Sequence, residues 1–257
     1  MDVLEKENRA YWQQRAAGYS EVNKEELAGV QRNTWTSFLT AKISERFPNR
    51  EPETISILDV GAGPGFISII LAEAGYKVTA FDFSDEMLKE ARANAGELAS
   101  KITFRQGDAM DLPFDKEVFD VVFSRNLIWN IPFPEKAYEQ WLRVLKPEGL
   151  MMVFDANWYA FLVDDEKKAE FEQDRKNVAA EGLGDYNIGE NFDQMDVIAS
   201  KMPSTRRLRP QWDKEFLESI SAGWVETYED IGQILYSEKE KINYKSTPLF
   251  MVQVIKG

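Results

Sequence analysis

Histidine and cysteine are both missing from this chain of 257 residues. Without cysteine there are no disulfides and no thiolate metal sites. Without histidine the commonest general base and the commonest metal ligand are gone together, so proton removal falls to Asp, Glu, Tyr, Lys or water. Long apolar runs are lacking too. None approaches the roughly 18 residues that a bilayer span requires, and the opening Met1-Asp2-Val3-Leu4-Glu5-Lys6 does not read as a signal peptide. The expectation is a cytoplasmic protein with no membrane partner. Positive charge is scarce: 31 Lys and Arg face 44 Asp and Glu, a formal charge of −13. Phosphate neutralisation needs a basic surface, so nucleic acid is not an expected partner. What is present, 44% hydrophobic and 29% charged residues, is ordinary for a globular protein. The length suffices for one full core, alone or with an embellishment.

The most informative stretch is Ile57-Leu58-Asp59-Val60-Gly61-Ala62-Gly63-Pro64-Gly65-Phe66. A β-branched apolar run stops at a loop with glycine at every second position, and an apolar helical pattern follows at once. Residues without a Cβ leave room for a ligand against the backbone. Seventeen residues past Gly65, a second strand-like run ends in Asp82, where a carboxylate is placed to accept both hydroxyls of a ribose. The glycines read G-x-G-x-G, one residue tighter than the dinucleotide fingerprint. Pro64 removes a backbone donor, and no P-loop lysine follows. The loop suits a nucleoside bearing a compact polar chain better than it suits phosphates.

Around it, strands and helices alternate. Strands are expected at 55–60, 77–82, 102–106, 118–124 and 149–156, with helices at 66–74, 85–95 and 134–145. A helix at 213–222 and strands at 224–230 and 247–255 follow. This pattern implies an α/β fold with a parallel sheet and helices on both faces. Residues 1–50 read as helices. Between strand five and the last helix lie a charged helical stretch from Asp164 to Lys176, a Gly/Asn-bearing stretch from Gly182 to Asn191, and a second helical pattern.

On these residues the segment from about Ile55 to Tyr159 resembles a class I S-adenosylmethionine-dependent methyltransferase of the small-molecule, Rossmann-like type. The resemblance implies a seven-stranded, mostly parallel sheet. Residues 1–50 would form an N-terminal helical lid, 51–160 and 213–257 the core, and 161–212 an inserted helical cap. It implies S-adenosylmethionine as cofactor, with S-adenosylhomocysteine as product. Gly61, Ala62, Gly63, Gly65 and Phe66 would let the backbone approach the methionine moiety, with Asp59 orienting its amino group through the turn. Asp82 would hold the ribose, with Phe83, Ser84 and Met87 beside the adenine. Asp108, within Gly107-Asp108-Ala109-Met110, would accept the adenine amine, and Ser124, Arg125 and Asn126 would line the methionine end. Tyr19, with Tyr11 and Trp12, would close over the cofactor.

The acceptor side is expected from the ends of strands four and five, which face one crevice in an open sheet. Trp129, Asn130, Asn157 and Trp158 are the pocket candidates, with Phe133 and Phe161 as further walls and Asp155 and Tyr159 as candidate bases. Ser204-Thr205-Arg206-Arg207-Leu208-Arg209 is the one basic cluster. Arg207 could clamp an acidic acceptor, or the cluster could be a solvated loop balancing nearby acids. No metal is expected, because strand four ends in Arg125 rather than an acid. The Asn/Asp-Pro-Pro-aromatic signature of amino-methylating nucleic-acid enzymes is missing; the nearest run is Asn130-Ile131-Pro132-Phe133. The reading is methyl transfer to a small-molecule N, O or S acceptor, by a monomer or homodimer. The alternatives are a protein or RNA methyltransferase, an NAD-type oxidoreductase, and a noncatalytic adenosylmethionine-binding module.

Overall fold

The computed structural model describes residues 3–188 and 192–257; the last three residues of the Gly182–Asn191 stretch lie outside them. Seven strands form one sheet: β1 (Ser56–Val60), β2 (Lys77–Asp82), β3 (Ile102–Gln106), β4 (Phe119–Arg125), β5 (Leu145–Asp155), β6 (Gly223–Tyr228) and β7 (Phe250–Lys256). Their order is β3-β2-β1-β4-β5-β7-β6. The first five are mutually parallel, and β7 runs antiparallel to both β5 and β6. The order reverses between β1 and β4, which places a crevice at the carboxyl ends of those two strands.

Ten α-helices accompany the sheet among the described residues: α1 (Val3–Ala28), α2 (Val30–Arg46), α3 (Phe66–Glu73), α4 (Asp85–Ala95), α5 (Pro134–Val144), α6 (Asp165–Ala180), α7 (Phe192–Ser200), α8 (Gln211–Ser219), α9 (Gly232–Leu235) and α10 (Glu238–Asn243). The strand pleat sorts the core into two layers. Ile57, Val121, Phe123 and Met152 point to one face, where they meet α3 and the Trp35, Leu39 and Ile43 stripe of α2. Leu58, Val60, Val122, Met151 and Val153 point to the other, against Tyr138 and Trp141 of α5 and Leu217 of α8. α3 is apolar but for Ser68 and Glu73 and buried from Phe66 to Ala72, as expected of a helix wedged between a sheet and a further helix. α5 starts with Pro134 in its first turn, where proline's fixed φ favours entry to a helix.

One sequence expectation needs correction, and one stretch gains an assignment. The whole of 1–50 was expected as a lid, yet α2 is a core helix. Of these two helices, α1 is the one that meets the glycine loop and α4. Residues 231–246, unassigned in the sequence, fold as α9 and α10. A third, smaller core joins Tyr11 of α1 to Trp129 and to Met195, Ile198 and Ala199 of α7. Among the described residues no helix is long and apolar enough to cross a membrane.

Candidate active site

The glycine loop between β1 and α3 is built by left-handed backbone and by neighbours that leave no room. Gly61 has φ +73°, and a Cβ there would meet the Leu127 side chain at 2.7 Å; Gly65 has φ +94°, and its Cβ would meet that of Ala91 at 2.9 Å. The loop is tied down by Asp82, the last residue of β2. One carboxylate oxygen accepts from the Gly63 N–H and the other from the Ser84 N–H, both at 2.9 Å. Ser84 caps α4 by accepting from the Met87 N–H at 3.2 Å. Beneath the loop, Asp59 accepts a 2.6 Å bond from the Ser68 hydroxyl. Burial raises both carboxyls above their ordinary range, Asp59 to about 7 and Asp82 to about 6.

α1 completes this wall. Asn23 Oδ1 accepts from the Phe66 N–H at 3.1 Å and so caps α3 from a distance. Its amide donates to Glu26, which accepts from Arg125 at 2.7 Å. The Arg125 guanidinium lies 5.1 Å from the Trp35 ring centroid and 5.0 Å from that of Phe66. At the same loop, Asn94 donates to the Ser20 hydroxyl and to the Pro64 carbonyl, each at 3.0 Å. One helix is thus fastened to the glycine loop, to the end of β4 and to α4.

The cavity so enclosed is lined by Tyr19, Asp59, Gly61, Ala62, Gly63, Phe66, Asp82, Phe83, Met87, Arg125 and Asn126, all expected from the sequence. Trp12, Asn23, Ile67, Leu127 and Asn130 line it as well. It continues past Phe83, Leu127 and Asn130 into a second cavity lined by Asp108, Ala109 and Met110. Asp108 Oδ1 accepts from the Met110 N–H at 2.8 Å, which fixes that turn. Four expected cofactor residues instead shape the walls. Gly107 packs under the Phe81 ring, Gly65 packs on α4, and the Ser124 hydroxyl donates to the Val60 carbonyl at 3.0 Å. Ser84, the α4 cap, serves the same end. Four atoms in the first cavity's lining residues are buried with no hydrogen-bond partner among the described residues: Trp12 Nε1, Arg125 Nη1, Asn126 Oδ1 and Asn130 Oδ1. Such groups cost free energy unless a ligand meets them. Two carboxylates, a guanidinium and unpaired amide oxygens around a glycine loop fit a nucleoside carrying a sulfonium and an amino acid.

A third cavity, of about 310 Å³, adjoins the first through Trp12, Tyr19 and Asn126. Trp129, Trp158, Tyr159 and Phe161 line it as expected, joined by Phe171, Tyr186, Asp193, Asp196 and Tyr244. Trp129 and Tyr159 have ring centroids 4.9 Å apart, and Trp158 and Tyr244 5.1 Å.

Four acceptor-side expectations are corrected. Asp155 is no base: wholly buried, it pairs with Arg209 at 2.7 Å and accepts from the Trp129 and Ala156 N–H groups and from Trp158 Nε1. It positions two pocket tryptophans and is not among the residues lining the cavity. Tyr159 does line it, but burial pushes its phenol well up, so it stays protonated. Asn157 donates to the Arg209 carbonyl and lines a different cavity. Arg207 pairs with Glu135 at 2.5 Å and lies 3.8 Å over the Trp212 ring. Its basic cluster disperses, with Arg206 on the Ser200 carbonyl and Arg209 between Asp155 and Asp213. Asn130 faces the cofactor side, and Phe133 is exposed. No group of three or more His, Cys, Asp or Glu able to hold a metal occurs among the described residues.

The sheet order, the glycine loop at the reversal point, Asp59 in β1 and Asp82 at the end of β2 fit a class I S-adenosylmethionine-dependent methyltransferase domain. Residues 58–153 match the family described as methyltransferase domain. The chain is 42% identical over 98 residues to a demethylmenaquinone methyltransferase of Clavibacter sepedonicus, covering 38% of this chain and 39% of that one. It is 40% identical over 103 residues to a ubiquinone/menaquinone biosynthesis C-methyltransferase of Roseobacter denitrificans, covering 38% and 41%. The chain therefore spans about two-fifths of the length of these curated relatives. The crystal structure of a candidate S-adenosyl-L-methionine-dependent methyltransferase from Methanococcus maripaludis shares the fold at 21% identity. Its TM-score is 0.58, over 95% of this chain and 93% of that one.

Proposed function

We propose that this protein transfers a methyl group from S-adenosylmethionine to a small molecule, in the cytoplasm. The observation that carries this reading is the meeting of two unlike cavities at Trp12, Tyr19 and Asn126, one glycine- and acid-lined, the other aromatic. The cofactor, when bound, supplies a methyl group already activated on sulfur. The chain's own task is to hold two reactants in line and keep water out. Asp82 and Asp108 are assigned to the ribose and the adenine, Arg125 and Asn130 to the amino-acid end. The aromatic walls hold the acceptor. Trp158, Tyr159, Tyr186 and Tyr244 all follow residue 153, where the family match ends. The acceptor is therefore not carried over from the quinone-named relatives.

The test is release of S-adenosylhomocysteine when the protein receives S-adenosylmethionine with the low-molecular-weight fraction of a cell extract. Release with that fraction supports the reading. Release only with the protein or RNA fraction overturns the small-molecule acceptor.

A further inference from the structure

Resting on that reading, the acceptor cavity narrows the substrate class through what it lacks and what surrounds it. Among the described residues lining it, the carboxylates are Asp193 and Asp196 alone. Asp155 is paired, and burial pushes the Tyr11 and Tyr159 phenols up. The carboxylates on the lining disfavour an anion: Asp193 and Asp196 line the cavity, and the basic groups about it among the described residues are Arg15 on the lining, Arg175 over the outer Phe171 ring and Lys239 over the Tyr186 ring. An adjoining cavity shares Val22, Tyr186 and Tyr244 with it and is lined by Glu25, Glu26 and Glu240. Glu26 is held by Arg125, and Glu240 by Gln31 and Ser237. Burial, and then the charge of Asp193, raise Asp196. A carboxylate or thiolate acceptor would enter against this field.

Aromatic faces and edges surround the same space, and such rings favour a cation over a neutral molecule of equal size. Asn126 supplies the third observation. It holds φ +55°, a conformation rare outside glycine, and its side chain lines both cavities. Its Oδ1 is buried and has no partner among the described residues. An acceptor oxygen at the junction of donor and acceptor sites is placed to receive an N–H.

We propose that the acceptor is a primary or secondary amine, held by Asn126 Oδ1 through its N–H and by the aromatic walls and Asp193/Asp196 through the charge it gains. An amine that enters as its ammonium first gives a proton to Asp196 or to water, and the nitrogen lone pair so freed forms the new N–C bond. The S–C bond breaks with its electron pair returning to sulfur, which leaves as a neutral thioether. The positive charge thus moves from sulfur to nitrogen, and the proton of the resulting ammonium is lost to water after release. Rings and acids around the nitrogen favour the charged end of this path over the neutral amine, the differential binding that catalysis requires.

The test is a binding titration of the protein saturated with S-adenosylhomocysteine, using benzylammonium, benzyl alcohol and benzoate. These probes share a ring and differ in charge, and benzylammonium stands for the product cation. The expected order is benzylammonium first, by about tenfold over benzyl alcohol, with benzoate weakest. Asp196→Asn should narrow the preference several-fold while leaving S-adenosylhomocysteine binding intact, which also reports folding. Asp193→Asn serves in the same way if Asp196→Asn does not fold. Equal binding of amine and alcohol, or preference for benzoate, overturns the amine assignment and leaves methyl transfer standing. Failure of S-adenosylhomocysteine to bind the parent protein removes both.

Discussion

Asp82→Asn separates what a buried carboxylate costs the fold from what it does for the ligand. The parent side chain is almost fully buried and accepts from the Gly63 and Ser84 N–H groups. Hydrogen bonds to a charged group contribute about 1.5–3 kcal/mol each. Against them, burial raises the carboxyl to about 6. Holding it ionised at neutral pH therefore costs roughly 3 kcal/mol relative to the unfolded chain. The asparagine amide keeps one acceptor oxygen, loses one of the two bonds and sheds the ionisation cost. The raised value already includes both bonds, so the relief of the ionisation cost dominates and the melting temperature of the ligand-free protein should not fall. Cofactor binding has no such offset. The ribose hydroxyls lose their charged acceptor, and affinity for S-adenosylhomocysteine should fall by about 1–3 kcal/mol, roughly 5- to 150-fold. Calorimetric titration and thermal unfolding of the same preparation measure both. A folded Asp82→Asn with unchanged affinity refutes the ribose assignment. A collapse in melting temperature refutes the charge argument.

Three further outcomes follow from the same contacts. Arg125→Met leaves Glu26 buried and unpaired, so it should destabilise the protein by about 3–5 kcal/mol. Adding Glu26→Gln should restore much of that stability in chemical denaturation, but not cofactor affinity, because the Arg125 Nη1 donor is lost. Burial raises Asp59 to about 7, so the folded state binds this proton more tightly than the unfolded one. The stability of Asp59→Asn relative to the parent should accordingly be greatest above about pH 7, decline as pH falls, and vanish only towards the ordinary carboxyl value of 3.8. Over the same range, affinity for S-adenosylmethionine should weaken as pH falls through 7, because its cation requires the ionised carboxylates. Trp158→Ala should leave cofactor affinity within about twofold while lowering acceptor turnover, since that ring lines the aromatic cavity and not the cofactor cavity; an equal loss of cofactor binding in the titration would show the two cavities are wrongly divided.

The core was legible because its signals are local. β2, α4 and β3 span the stretches expected of them, each bounded by turn or cap residues such as Ser84. Asp59, Asp82 and the three glycines could be placed because each lies at or just past the end of a strand. What stayed hidden depends on partners far along the chain. Nothing near Asn23 or Glu26 announces that they meet Phe66 and Arg125, 43 and 99 residues away. Asp155 looked like a base because it ends β5, and only Arg209, 54 residues on, shows it to be a structural anion. The Trp35, Leu39 and Ile43 stripe of α2 was visible as helical periodicity, but periodicity does not say which surface covers it. Tyr186 and Tyr244 joined the acceptor wall through α10, a short helix with little apolar pattern of its own.

The central claim is that this crevice binds an adenosyl sulfur nucleoside, and calorimetric titration with S-adenosylmethionine, S-adenosylhomocysteine and NAD tests it most directly. The account predicts micromolar binding of both sulfur nucleosides and none of NAD. Binding of NAD alone would contradict it and carry the acceptor argument away with it.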